Sequence, residues 1–251
     1  MRASIDLNSD LGEGAGTDAA IMPLITSANI ACGAHAGDEA TMRGAVALAV
    51  RHGVAIGAHP GYPDRENFGR VPIVMGAREL EAEIARQIRA LDAIVTAQGA
   101  TLRHVKAHGA LYNQAERDQN VARVVAMAVA GEMRGGRKLL AFAPPDSALM
   151  ERCFAADVLV AREGFVDRAY EPDGTLRSRR LPNAVHTDPA VAAAQALSFV
   201  RDGGVRAHDG TFLKLEVDTL CVHGDTPGAP AIAAAVRAAL AKAGVEVRPV
   251  A

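Results

Sequence analysis

Short apolar runs alternate with helical stretches along the whole chain, and this alternation narrows the possible folds more than any other feature. Three helices close on a glycine that leads within a few residues into the next extended run: Gly53, Gly99 and Gly244. Glycine takes up the left-handed backbone that ends a helix without a Cβ penalty. Strands separated by helices of roughly 10–20 residues form βαβ units, whose strands lie parallel. The stretch from Ala77 carries Leu80, Ile84, Ile88, Leu91 and Val95 at helical spacing, one apolar stripe for packing on a sheet. About seven strand–helix units fit the 251 residues, each needing roughly 30 or more. No linker or shift of composition divides the chain, so the reading is one domain over residues 1–251.

The expected strands are Ile5–Leu7, Ala28–Cys32, Val54–Ala58, a run from Leu102, Lys138–Phe142, Val158–Ala161 and Leu220–Val222, with Phe212–Val217 also extended. Expected helices cover Asp18–Ile25, Asp38–His52, a stretch from Ala77 to Gly99, Val121–Met133, Ser147–Phe154, Pro189–Arg201 and a last one from Pro227. Asn8–Gly16 reads as a loop rich in carboxylate and glycine, and residues 171–187 as a second loop holding Pro172, Gly174 and Pro182.

Polar residues fall at one kind of place. Asp6, Asn8 and Asp10; His35 and Asp38; His59; Lys106 and His108; Asp167 and Arg168; and His223 and Asp225 all follow the C-terminal ends of expected strands. The opposite ends carry Gly, Ala and ordinary surface residues. In a closed parallel barrel the loops converge at the C-terminal mouth, whereas an open doubly wound sheet concentrates its ligand at one switch point. Six decorated strand ends therefore select the TIM-like (β/α) barrel. Along Leu102–Asn113, period-2 alternation puts His104, Lys106 and His108 on one side, a set costly to bury without partners.

A net charge of -2 gives no electrostatic case for nucleic acid or an anionic membrane surface. Three cysteines (Cys32, Cys153, Cys221) without CxxC spacing argue against a disulfide framework and a cysteine zinc site. No run approaches the ~18 apolar residues of a membrane span, and Asp6 interrupts any leader-like start, so the expectation is a cytoplasmic protein. No GxxxxGK[ST] occurs, so ATP, if used, is not held by a P-loop here.

Two chemistries suit such a mouth. Asp10, His59 and His108 can form an Asp-His-His site for a divalent metal that activates water. Alternatively, carboxylates and histidines act as general acid and base while Lys106 and Arg168 hold an anionic substrate. Spacing does not separate them, because every contact is long-range.

The motifs Ile5–Gly14, Ser27–Gly33 with His35-Ala36-Gly37-Asp38, Gly57-Ala58-His59-Pro60, Phe68-Gly69-Arg70, His104–Asn113, Phe165–Tyr170 and Cys221–Thr226 together resemble the LamB/YcsF family. The resemblance runs from Ile5 to the last helix. It implies a seven-stranded barrel of the glycoside hydrolase/deacetylase type. It also implies hydrolysis of the lactam ring of 5-oxo-L-proline to L-glutamate, coupled to ATP hydrolysis, with 5-oxoprolinase subunits B and C as partners and ATP bound mainly by them. On this basis Asp10, His59 and His108 are expected to activate water or bind metal, with Lys106, Asp167, His223 and Asp225 as further catalytic groups. Asn8, Glu13, His35, Tyr112 and Arg168 are expected to contact substrate, Lys106 and Arg168 anchoring carboxylate or phosphate. The chain departs from the family pattern at Ser9 (usually Cys), Ala15 (usually Phe) and Ala107 (usually Pro), and between Gly16 and Thr26 it is several residues shorter. Two other readings stand beside this one: a metal-dependent carbohydrate deacetylase, and a non-catalytic subunit that binds 5-oxoproline.

Overall fold

The computed structural model describes residues 2–133 and 135–250; Met1, Arg134 and Ala251 lie outside the described residues. The elements run β1 (Ser4–Leu11), α1 (Asp18–Ile21) with a 3-10 turn (Met22–Leu24), β2 (Ser27–Ala31), α2 (Glu39–His52), β3 (Ala55–His59), α3 (Ala77–Ala97), β4 (Leu102–Lys106), α4 (Gly109–Arg117) and α5 (Gln119–Gly131). They continue as β5 (Leu140–Ala143), α6 (Ala148–Ala155), β6 (Leu159–Phe165), α7 (Pro189–Asp202), β7 (Gly204–Arg206), β8 (Phe212–Lys214), β9 (Thr219–His223), α8 (Ala229–Lys242) and β10 (Glu246–Val247). Strands β1 to β6 and β9 are parallel neighbours, and β9 pairs with both β6 and β1. That pairing closes a seven-stranded barrel. Among the described residues no helix is long and apolar enough to cross a membrane.

The helices form the outer layer for the reasons the sequence suggests. Leu80, Ile84, Ile88, Leu91 and Val95 are the buried stripe of α3. Asp38 caps α2 by accepting from the Thr41 N–H, and Gly53 ends it at φ 66°.

Four expectations need correction. β1 runs on through Asn8 and Asp10, read as loop, because the polar barrel interior gives both side chains partners. β6 likewise continues to Phe165 and so carries Glu163 into the interior. A helix (α4) starts directly after His108, and Phe212–Lys214 belongs to an antiparallel pair with β7 outside the barrel.

The inward positions are polar and mutually satisfied. Asn8 donates from Nδ2 to Glu163 Oε1 (3.0 Å) and Thr219 Oγ1 (2.7 Å), while Asn29 Nδ2 donates to Asn8 Oδ1 and Asp10 Oδ1, both at 2.8 Å. His104 donates from Nε2 to Asn29 Oδ1 (2.8 Å) and stacks on Phe142 at 4.2 Å. Only glycine fits at position 57, since a Cβ there would lie 2.0 Å from the His104 ring nitrogen.

Candidate active site at the mouth of the barrel

Barrel closure brings together groups that are far apart in the chain. Asp10 sits beside both Asn29 and His223 in register. His59 is the last residue of β3, and His108 is the residue before α4. Glu13 and His35 come in on the loops after β1 and β2. Glu13 Oε1 lies 3.1 Å from His108 Nδ1, 3.2 Å from His35 Nε2 and 3.7 Å from His59 Nε2. His35 and His108 stack with ring centroids 3.7 Å apart. The long loop after β3 packs against these rings through Gly69 (φ 62°), where a Cβ would come 2.8 Å from that of His35.

Two main-chain carbonyls fix the histidine tautomers. His59 Nδ1 faces Lys106 O at 2.8 Å, and His108 Nε2 faces Phe68 O at 2.9 Å. A carbonyl only accepts, so each of those nitrogens carries the hydrogen. When neutral, both rings therefore point a lone pair inward, His59 Nε2 against His108 Nδ1 at 2.9 Å, beside the Glu13 carboxylate. Converging acceptors need a positive charge between them. A proton on His59 can supply it, and so can a divalent cation. The donor set His59, His108, Glu13 and His35, with its ligand atoms within 4.8 Å of one another, fits a cation of the zinc type.

The electrostatics agree. Burial opposes charge on His59, but the Asp10 carboxylate 3.4 Å away outweighs it and raises the affinity for a proton. Burial prevails at His35, pushed down to about 4, and at His108, which is also lowered. Burial alone would raise Asp10 and Glu13. His59 and Lys106 hold Asp10 well below the usual carboxylate range, and His108 and His35 do the same for Glu13.

Lys106 occupies the next layer. Its Nζ is 2.9 Å from Asp10 Oδ1, 2.9 Å from Glu163 Oε1 and 3.1 Å from Cys221 Sγ. Burial would strip its proton, yet these neighbours keep it firmly charged. Asp10, Cys221 and His223 also lie close enough to hold an ion, but the ammonium already serves that space. Beyond it, His223 Nδ1 donates to the buried Asp167 carboxylate (2.9 and 3.0 Å), which also accepts from Thr226 Oγ1 (2.6 Å). Burial would raise Asp167, but His223 and Thr226 hold it at about 2. A cavity of about 670 Å³ opens over Asp10, His59, Lys106, His108 and His223, and Arg70, Arg179 and Arg180 stand in its wall.

Most of the expected residues meet here, some in other surroundings than expected. Glu13 and His35, read as substrate contacts, join the histidine cluster, and Asp10 pairs with His59 and Lys106 beside it. Asn8, also read as a substrate contact, is fully buried, spends its amide on Glu163, Thr219 and Asn29, and is not among the residues lining this cavity. Asp225, expected near the chemistry, instead ties Arg70 and, at 3.6 Å, Arg179 into the rim. Arg168 lines the cavity, but its guanidinium donates to the Ala184 and Arg177 carbonyls, and burial lowers it to about 10. Tyr112 forms part of the wall. Sequence reasoning missed Glu163, Arg70 and Arg179. Glu163 was detectable only as an acid at an inward strand position, which requires knowing that β6 extends that far.

Residues 5–251 match the LamB/YcsF family. The chain is 52% identical over 250 residues to the A subunit of 5-oxoprolinase from Chloroflexus aggregans, an alignment covering 98% of each protein. The crystal structure of the lactam utilization protein from Thermus thermophilus is 44% identical and superposes with a TM-score of 0.89, covering 98% of this chain and 99% of that one. A T48 deacetylase solved with substrate shares the fold alone, at 12% identity and a TM-score of 0.50 over 97% of this chain and 86% of that one.

Proposed function

The chain belongs to the LamB/YcsF family, and we propose that it is the A subunit of an ATP-dependent 5-oxoprolinase, opening the lactam ring of 5-oxo-L-proline to give L-glutamate. The observation that carries the reading is the site beneath the cavity. There an ionised carboxylate, a buried ammonium, a histidine cluster with fixed tautomers and an aspartate-oriented histidine lie under a wall of arginines. Lactam hydrolysis needs three functions that this set can supply. A base must take a proton from water, a positive group must meet the developing oxyanion, and an acid must protonate the departing nitrogen.

Asp10, kept ionised by His59 and Lys106, is the base in this reading. The Lys106 ammonium offsets the charge that grows on the carbonyl oxygen. His223 has Nδ1–H committed to Asp167, which leaves its second nitrogen free to take up a proton from water and hand it to the ring nitrogen. Arg70 and Arg179, held by Asp225, anchor the substrate carboxylate or a phosphate. His59, His108, Glu13 and His35 would hold a divalent metal, which when bound supplies Lewis acidity next to Asp10. An unstrained five-membered lactam recloses readily, so coupling to ATP drives opening. Subunits B and C are the proposed site of the nucleotide, since no phosphate-binding loop motif occurs in this chain.

Glutamate production from 5-oxoproline and ATP by the chain with its two partner subunits tests this directly. A complete mixture that forms no glutamate refutes it. Deacetylation of an N-acetylated sugar by the chain alone, without ATP, would replace it with the deacetylase reading. Unimpaired turnover by His108→Ala at saturating substrate would leave the chain with a binding role only.

A further inference from the structure

A second cavity of about 470 Å³ adjoins the first across Tyr112, Glu116 and Phe165, which line both. The two differ in charge. The first carries Lys106, Arg70, Arg179 and Arg180. In the second, carboxylates prevail: Glu116, Glu163, Asp146 and Asp173, with Arg117 the one cation among its lining residues and paired with Asp173 at 2.6 Å.

Glu163 spans the boundary between them. Its Oε1 takes the Lys106 ammonium and the Asn8 amide, but its Oε2 has no hydrogen-bond partner although the residue is 1% exposed. The Tyr112 hydroxyl, on a residue 4% exposed, lies beside the same carboxylate and likewise makes no well-formed hydrogen bond. Both side chains line the second cavity, and Glu163 does not line the first. Buried acceptors are rarely left unpaired without a ligand to satisfy them. The rings of Phe165 and Tyr170 complete the wall. Glu116 follows Tyr112 by one helical turn on α4. Burial, helped by Asp173 and opposed by Arg117, pushes it up to about 7, and a cation beside it would draw it back to the ionised form.

We propose that this second cavity is an ammonium subsite, in which Glu163 Oε2, Glu116 and Tyr112 receive the α-ammonium of the ring-opened amino acid while the arginines of the first cavity hold its carboxylates. The inference rests on the lactamase reading and deepens it. In the ring the nitrogen is a neutral amide with one hydrogen; once opened it is an ammonium with three. A pocket lined by carboxylates favours only the second form. A protonated amine has no lone pair with which to attack the new carboxyl group, so the subsite holds the product open.

The test compares binding of L-glutamate and of glutarate, which lacks the amine, to the full-length chain by calorimetry. Glutamate is expected to bind roughly tenfold or more tightly, as a charge-assisted hydrogen bond predicts. Glu116→Gln should remove most of that preference, read as the ratio of the two affinities. Tyr112→Phe is the second variant, should the first fail to fold by circular dichroism, and should also narrow the gap. Equal binding of the two ligands by the parent chain overturns the proposal. So does glutarate affinity that rises to the glutamate level on adding potassium chloride, which would put an inorganic cation in the subsite. Turnover by the complete enzyme separates the two readings. Glutamate formed from 5-oxoproline with no glutamate preference defeats the subsite alone. No turnover, with the preference intact, defeats the lactamase reading and leaves an amino-acid subsite.

Discussion

Replacing Lys106 by methionine separates the electrostatic contribution of the barrel interior from its packing. Methionine matches the lysine stem in volume, so little cavity or strain cost arises. What changes is charge: Asp10 and Glu163, whose side chains are 5% and 0% exposed, lose an ammonium 2.9 Å from each. Removing one partner from a buried ion pair costs about 3–5 kcal/mol, because the remaining charge cannot return to water. For a chain of this size that lowers the melting temperature by roughly 6–20 °C. Far-UV circular dichroism is the suitable probe, since the chain contains no Trp. The double variant Lys106→Met/Glu163→Gln, read against both single variants, should recover about 1–3 kcal/mol of the loss. The pH dependence has a definite sign. Without the ammonium the folded-state pKa of Asp10 rises, because Lys106 is one of the two charges that hold it down. Its ionised form is then less favoured, and the cost of keeping it ionised grows as pH rises through the carboxylate range. The deficit should therefore be smaller near pH 5 than near pH 8. A variant within about 1 kcal/mol of the parent at pH 8 would mean that the interior is wet enough to screen the pair, and the reasoning would fail.

Further expectations concern other parts of the barrel. Asp6 accepts hydrogen bonds from Thr26, Ser27 and Thr219, yet burial pushes it up to about 6. Its proton stabilises the fold below the unfolded pKa, and that stability is lost as pH rises through 6. The parent should thus lose about 3 kcal/mol relative to Asp6→Asn between about pH 4 and pH 7 in urea titrations, and a flat difference would contradict this. Gly57→Ala must displace the His104 ring and should cost about 1–3 kcal/mol. Gly44→Ala, on α2 with open space around it, should instead gain about 0.5–1 kcal/mol; equal melting temperatures for the two variants would undo the packing account. His59→Ala or His108→Ala should abolish stoichiometric divalent metal in protein purified without chelator, while Cys221→Ser retains it; elemental analysis decides. Asp167→Asn should lower kcat by roughly 10²–10⁴ with little change in KM, because His223 loses its orienting carboxylate.

Local patterning was readable wherever a short-range rule applied. The α3 stripe, the Asp38 cap, Gly53, and the strand-end positions of His35, His59, His108 and His223 all follow from periodicities of a few residues. The extent of β1 and β6 did not, because carboxylates and amides in a strand look like loop until an interior exists to pair them. Glu163 escapes a reading of the sequence for that reason, and the internal partners of Asn8 have no local signature. The sequence by itself determined a parallel α/β chain with ionisable groups at one end of its strands. Tertiary structure alone decided that Glu13 and His35 join His59 and His108, that Lys106 sits between Asp10 and Glu163, and that Asp225 holds arginines at the rim. The first contact follows from the pairing of β1 to β4 and the others from β9 closing on β1, and a closure across more than 200 residues leaves no trace in local spacing.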